Sequence, residues 1–140
     1  MDNLSMECFS RVIRLHRKVL HRSRRHLSEL GFAWNQYSVM KNISPGEALT
    51  LSEISARSFK VNSNVTGLVD FLEQKGVVMR VNDPVDRRVV RVKLTDEGIK
   101  IRKEVLIKQE EFIVEMFSKI SDDEKTAFIN SANNVLNGLN

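Results

Sequence analysis

At 140 residues, with 41% hydrophobic and 29% charged side chains, the chain suits one soluble domain with a real core. No apolar run approaches the ~20 residues of a membrane span. The opening Met1-Asp2-Asn3-Leu4 lacks the pattern of a secretory signal, and one cysteine excludes an internal disulfide, so the expected location is the cytoplasm. Net charge is +4, but residues 1–49, 50–94 and 95–140 carry +4, +3 and −3. The basic front two-thirds suits a polyanion without choosing between nucleic acid and an anionic membrane.

From Leu4 to about Leu30, Phe9, Val12, Ile13, Val19, Leu20 and Leu27 recur at helical spacing before Gly31, which predicts a long amphipathic helix. Trp34 to Ile43 reads as a shorter helix closed by the turn signal Ser44-Pro45-Gly46. Thr50-Leu51-Ser52-Glu53 is a capping box, in which a hydroxyl and a carboxylate three residues on satisfy each other's free backbone N–H; it starts a helix from Leu51 to about Ser58. Asn62-Ser63-Asn64 offers caps for a next helix, striped by Val65, Leu68, Val69 and Leu72 and ended by Gly76. Two short helices with a tight connection fit a helix-turn-helix.

Val77–Val81 and Val89–Leu94 are β-branched runs flanking a charged, proline-containing turn, which predicts a hairpin with an extended tip. In the second run Val90, Val92 and Leu94 alternate with Val89, Arg91 and Lys93, giving an inner and an outer face. A helix-turn-helix followed directly by such a hairpin has the order of a winged helix. Thr95 then caps a helix expected to run to about Ile120, whose residues Ile99, Leu106, Ile113 and Ile120 lie seven apart. Ser121-Asp122-Asp123-Glu124 repeats the reciprocal cap before a last helix to the end of the chain. The fold class is mainly α with a small β-hairpin wing (α+β).

The run Asp83-Pro84-Val85-Asp86-Arg87-Arg88-Val89-Val90-Arg91-Val92-Lys93-Leu94-Thr95-Asp96-Glu97-Gly98 resembles the wing and following helix of the multiple antibiotic resistance regulator (MarR) family. The run Ser63-Asn64-Val65-Thr66-Gly67-Leu68-Val69-Asp70, continued by Leu72-Glu73 and Lys75-Gly76, is similar to that family's recognition helix. The resemblance implies a dimeric transcription factor with a winged helix-turn-helix at 34–94 and interlocking dimerisation helices at 1–30 and 95–140. It further implies a repressor on a pseudo-palindromic operator. The expected partners are double-stranded DNA, a second copy of the chain and a small-molecule effector of open identity, with no cofactor and no membrane.

Short polar side chains at the start of a recognition helix read base edges in the major groove, so Asn62, Ser63, Asn64 and Thr66 are candidates, with Gly67 permitting close approach. No Lys or Arg lies between Val61 and Gln74. The electrostatic grip therefore falls to Arg87 and Arg88 at the wing tip, with Asp86 orienting one guanidinium. Lys60, Arg80, Arg91 and the N-terminus of the Leu51 helix are the secondary phosphate candidates.

Other residues carry plainer readings. Cys8 has Arg11 and Val12 one turn on and no tyrosine, so it reads as a buried apolar cysteine rather than a peroxide sensor. His16, His21 and His26 are spaced by five, each turned ~140° from the last, and do not form a helical metal pair. Trp34 and Tyr37 read as core. An enzyme would need a paired-carboxylate, Cys/His or Gly-rich phosphate motif that the sequence lacks. A winged helix used for protein docking is the alternative function, and it would leave Arg87 and Arg88 without a phosphate partner.

Overall fold

The structure, a computed structural model, describes residues 2–58 and 64–140. It divides into two compact units, the first ending at Gln109 and the second spanning Glu110–Asn140.

Helix α1 (Asn3–Glu29) starts where the Asp2 carboxylate accepts the N–H groups of Leu4 and Ser5. It ends at Gly31, whose φ of +93° suits a residue without a Cβ. Helix α2 (Trp34–Lys41) stops two residues short of the expected Ile43, and the Arg102 guanidinium donates to its last carbonyls, those of Met40 and Lys41. The turn at Ser44-Pro45-Gly46 closes through Glu47 N–H to Ser44 O.

Strand β1 (Ala48–Leu49) follows, then α3 (Leu51–Ser58) with its Thr50/Glu53 capping box formed, and α4 (Val65–Gln74). Strands β2 (Val78–Asn82) and β3 (Val90–Leu94) pair antiparallel from Val78↔Leu94 to Asn82↔Val90. β1 adds to the other side of β3, giving the order β1-β3-β2. A two-residue strand shows no alternation that a sequence could betray.

Helix α5 (Asp96–Met116) begins at Thr95, whose Oγ1 accepts the N–H of Gly98 at 2.8 Å. It ends before the expected Ile120: the Ser118 hydroxyl donates to Glu115 O at 2.7 Å, and Phe117–Ile120 form turns. Helix α6 (Asp122–Gly138) carries the Ser121/Glu124 capping box.

The core of the first unit gathers Leu27 of α1, Met40 of α2, Ile54 of α3, Val69 and Leu72 of α4, Val92 of β3 and Val105 of α5, all at or near zero exposure. Val92 and Leu94 point inward as their alternation requires, but Val90, near the hairpin tip, is 44% exposed. The other half of α1 is uncovered: Leu4, Phe9, Val12 and Ile13 are each at least half exposed. Cys8 on the same stretch is exposed as well, which corrects the expectation of a buried thiol. In the second unit α6 has no buried residue, and Phe128, Ile129, Val135 and Leu136 face outward.

Candidate nucleic-acid interface

Helix α4 presents its N-terminal turn through Asn64, the N-cap, whose Oδ1 accepts the N–H of Gly67 at 3.0 Å. A Cβ on Gly67 would lie 2.6 Å from Asn64 Nδ2, so this glycine makes room for the cap itself. Thr66 is exposed on the same turn. An Asn–adenine pair uses both the carbonyl oxygen and the amide of the side chain. The cap occupies one lone pair of Oδ1, which leaves Nδ2 as the freer reading group of Asn64. Lys60, Asn62 and Ser63 lie outside the described residues.

Further along α4 two exposed side chains, Asp70 and Glu73, are acidic. Asp70 and Glu73 both accept from Arg80 of β2, at 2.6 and 3.0 Å. The two carboxylates hold the Arg80 guanidinium above its ordinary pKa. Arg80, expected to meet phosphate, is thus engaged by two acids and ties the hairpin to α4.

The wing loop is built by two aspartates. Asp83 Oδ1 accepts the N–H groups of Val85 and Asp86 at 2.9 and 3.0 Å, while its Oδ2 accepts Arg91 Nε at 2.6 Å. Backbone N–H donors and the Arg91 guanidinium together hold the Asp83 carboxyl at about 2. Asp86 accepts both the backbone N–H and the guanidinium of Arg88, the latter at 3.1 Å from each of two nitrogens, and these bonds lower its pKa. Of the two tip arginines, Arg88 is therefore the one that Asp86 orients, although its side chain remains 90% exposed. Arg87 is exposed and has no acidic partner among the described residues. The loop offers two solvent-facing guanidinium groups on a backbone fixed by side-chain hydrogen bonds, an arrangement suited to phosphate or a narrow minor groove.

Arg91 is turned away from this tip. Besides Asp83, its Nη1 reaches Glu53 Oε2 at 3.4 Å and Ala48 O at 3.3 Å. Glu53 belongs to the α3 capping box, and hydrogen bonds from Thr50 lead the causes that lower its pKa. The α3 N-terminus therefore holds a carboxylate, which opposes the phosphate role expected for it. Sequence reasoning missed the Asp83–Arg91–Glu53 link. Its one legible signal was an arginine on the outer face of β3 eight residues after an aspartate.

Elsewhere, Tyr37 is buried, burial raises its pKa, and its ring lies 6.2 Å from that of Trp34, which packs against the core. Among the described residues no three His, Cys, Asp or Glu side chains are grouped to hold a metal. No helix there is long and apolar enough to cross a membrane.

Comparison with known proteins bears on this arrangement directly. The MarR family profile matches residues 32–90, from the approach to α2 through the wing loop. The HTH-type transcriptional regulator YkoM of Bacillus subtilis is 30% identical over 125 residues, covering 89% of this chain and 81% of that protein. The chain belongs to the MarR family. This is a family of HTH-type transcriptional regulators, not of enzymes. A second regulator of Bacillus subtilis, YsmB, is 39% identical over 80 residues, 57% of this chain; that match spans only 55% of YsmB. The crystal structure of Bacillus subtilis YusO superposes with a TM-score of 0.78 at 26% identity, covering 97% of this chain and 96% of that one. The crystal structure of a MarR-like protein from Bacillus cereus superposes with a TM-score of 0.81 at 18% identity, covering 97% of this chain and 98% of that one, so the helix-dominated winged fold is shared with solved MarR-like structures.

Proposed function

We propose that the chain is a homodimeric, cytoplasmic DNA-binding repressor that grips a pseudo-palindromic operator through α4 and the wing and is released by a small-molecule effector. The observation that carries the reading is the wing loop, where two aspartates order a turn whose tip exposes Arg87 and Arg88. In this reading Asn64 and Thr66 read base edges beside Gly67, Asp86 orients Arg88, and Arg80 neutralises the acids on α4. Lys60, Asn62 and Ser63, which precede Asn64 in the sequence, add to the contact.

The winged helix-turn-helix occupies 34–94, and 1–30 with 95–140 form the dimerisation region. The exposed apolar side chains of α1 and α6 support a second copy as the covering partner, since a soluble monomer rarely leaves that much apolar surface in water. Two copies related by a two-fold axis present two recognition helices, and so select a site with matching two-fold symmetry. A protein bound there excludes other proteins from the same duplex, which is the physical basis of repression.

The test is to select bound fragments from a genomic library with the purified protein and footprint the preferred one, with sedimentation giving the stoichiometry. A dimer protecting two symmetric half-sites is expected. A monomer, or no enrichment of any duplex at low salt, contradicts the reading and favours protein docking.

A further inference from the structure

We propose that Arg91 is a positioning residue for the wing: it fastens the hairpin to the first turn of α3 and so presents Arg87 and Arg88 to DNA in a preformed geometry. The inference rests on the DNA-binding reading above and concerns how that surface is held.

The guanidinium of Arg91 lies against neighbouring elements of the surface instead of standing free in solvent. Its side chain is 29% exposed, against 90% for Arg88. It donates to three separate elements, the wing loop through Asp83 Oδ2 at 2.6 Å, α3 through Glu53 Oε2 at 3.4 Å and β1 through Ala48 O at 3.3 Å. A planar group with donors in a fixed fork can bridge elements in this way, whereas a lysine ammonium is a single point of charge.

Both acids that receive it are fixed independently. Asp83 is 13% exposed, and its other oxygen shapes the turn through Val85 and Asp86. Glu53 accepts the Thr50 N–H at 2.8 Å in the α3 cap. One carboxylate therefore folds the loop and anchors it. The last hairpin pair is Asn82↔Val90, so the tip lies beyond the ladder, and this strut is what ties it to α3. A loop ordered beforehand loses less entropy on binding.

The test measures binding to a short mixed-sequence duplex at low salt. Its variants are Asp83→Asn, Arg91→Gln and Glu53→Gln, each also placed in an Arg87→Ala/Arg88→Ala background. Asparagine can still accept the Val85 and Asp86 N–H groups but turns its amide toward Arg91, and glutamine can still cap α3 but loses the charge that attracts Arg91, so both variants weaken the anchor while keeping the local turn. If Arg91 positions the wing, each single variant weakens binding roughly three- to tenfold. That loss occurs although Asp83→Asn and Glu53→Gln make the protein more positive, and it disappears in the double-alanine background.

If Arg91 instead contacts phosphate, Asp83→Asn and Glu53→Gln bind as tightly as the wild type or tighter, and Arg91→Gln still costs affinity without the tip arginines. Either result overturns the proposal while leaving DNA binding standing. Unchanged binding by Arg87→Ala/Arg88→Ala itself overturns the wing-contact reading and the proposal with it. A merely structural role would lower the melting temperature and would not vanish with the tip arginines.

Discussion

Replacing Gly98 by alanine places a Cβ 1.8 Å from the carbonyl oxygen of Val77 and 2.7 Å from its carbon. Ordinary contact lies near 3.5 Å, so the backbones must part by well over an ångström. Val77 is fully buried where the chain leaves α4 for β2, and its carbonyl accepts the Thr95 N–H at 3.0 Å. The Thr95 hydroxyl in turn bonds Gly76 O and caps α5 through Gly98 N–H. Overpacking costs about 1–3 kcal/mol, and one or two lost hydrogen bonds add about 1 kcal/mol each. Helix propensity alone would favour alanine by about 1 kcal/mol. The net expectation is a loss of about 3 kcal/mol, seen as a fall in melting temperature of roughly 10 °C. Gly138→Ala is the control, since a Cβ there meets nothing within 4 Å, and it should leave stability unchanged or slightly raised. Thermal unfolding followed by circular dichroism decides. A Gly98→Ala protein as stable as the wild type would refute the geometry at the start of α5.

Other outcomes follow from single contacts. Asn64→Ala should cost about 1 kcal/mol through the lost cap, whereas Asn64→Ser should keep the cap and relax base preference on the selected operator; equal losses on all sequences would deny Asn64 a reading role. Asp83 titrates near 2 in the folded chain against 3.8 for an ordinary aspartate, so its stabilising effect is fully present above pH 3.8 and is lost as pH falls through about 2. The stability gap between wild type and Asp83→Asn, measured by denaturant unfolding, should therefore close across that window; a constant gap would contradict the ion pair. Arg80→Ala should cost about 1 kcal/mol and weaken DNA binding by leaving Asp70 and Glu73 unpaired; restored binding in Arg80→Ala/Asp70→Asn/Glu73→Gln would show that Arg80 acts by neutralising them.

Much of the architecture was legible because it rests on local chemistry. The Thr50/Glu53 and Ser121/Glu124 boxes mark helix starts within four residues of sequence, and Gly31 and Gly76 mark ends because each takes a positive φ. What stayed hidden was set by distant partners. Arg80 and Arg91 looked free for phosphate because their acids stand 10, 7, 8 and 38 residues away. β1 escaped because its two residues owe their strand state to β3. Cys8 looked buried because α1 carries an apolar stripe, yet among the described residues that part of the helix stays exposed. The wing arginines were visible because two neighbouring β-branched runs pair by turning at the charged segment between them, which puts Arg87 and Arg88 at the tip. That Asp86 serves Arg88 rather than Arg87 is set by side-chain geometry, since both arginines lie within two residues of it in the chain.

The most direct measurement is the salt dependence of binding to a DNA duplex for the wild type and for Arg87→Ala/Arg88→Ala. Each phosphate contact contributes about 0.9 to the slope of log K against log salt. A dimer that loses four tip guanidinium groups should therefore show a slope shallower by about 3 to 4, with weaker binding at low salt. An unchanged slope in the double variant would contradict the account.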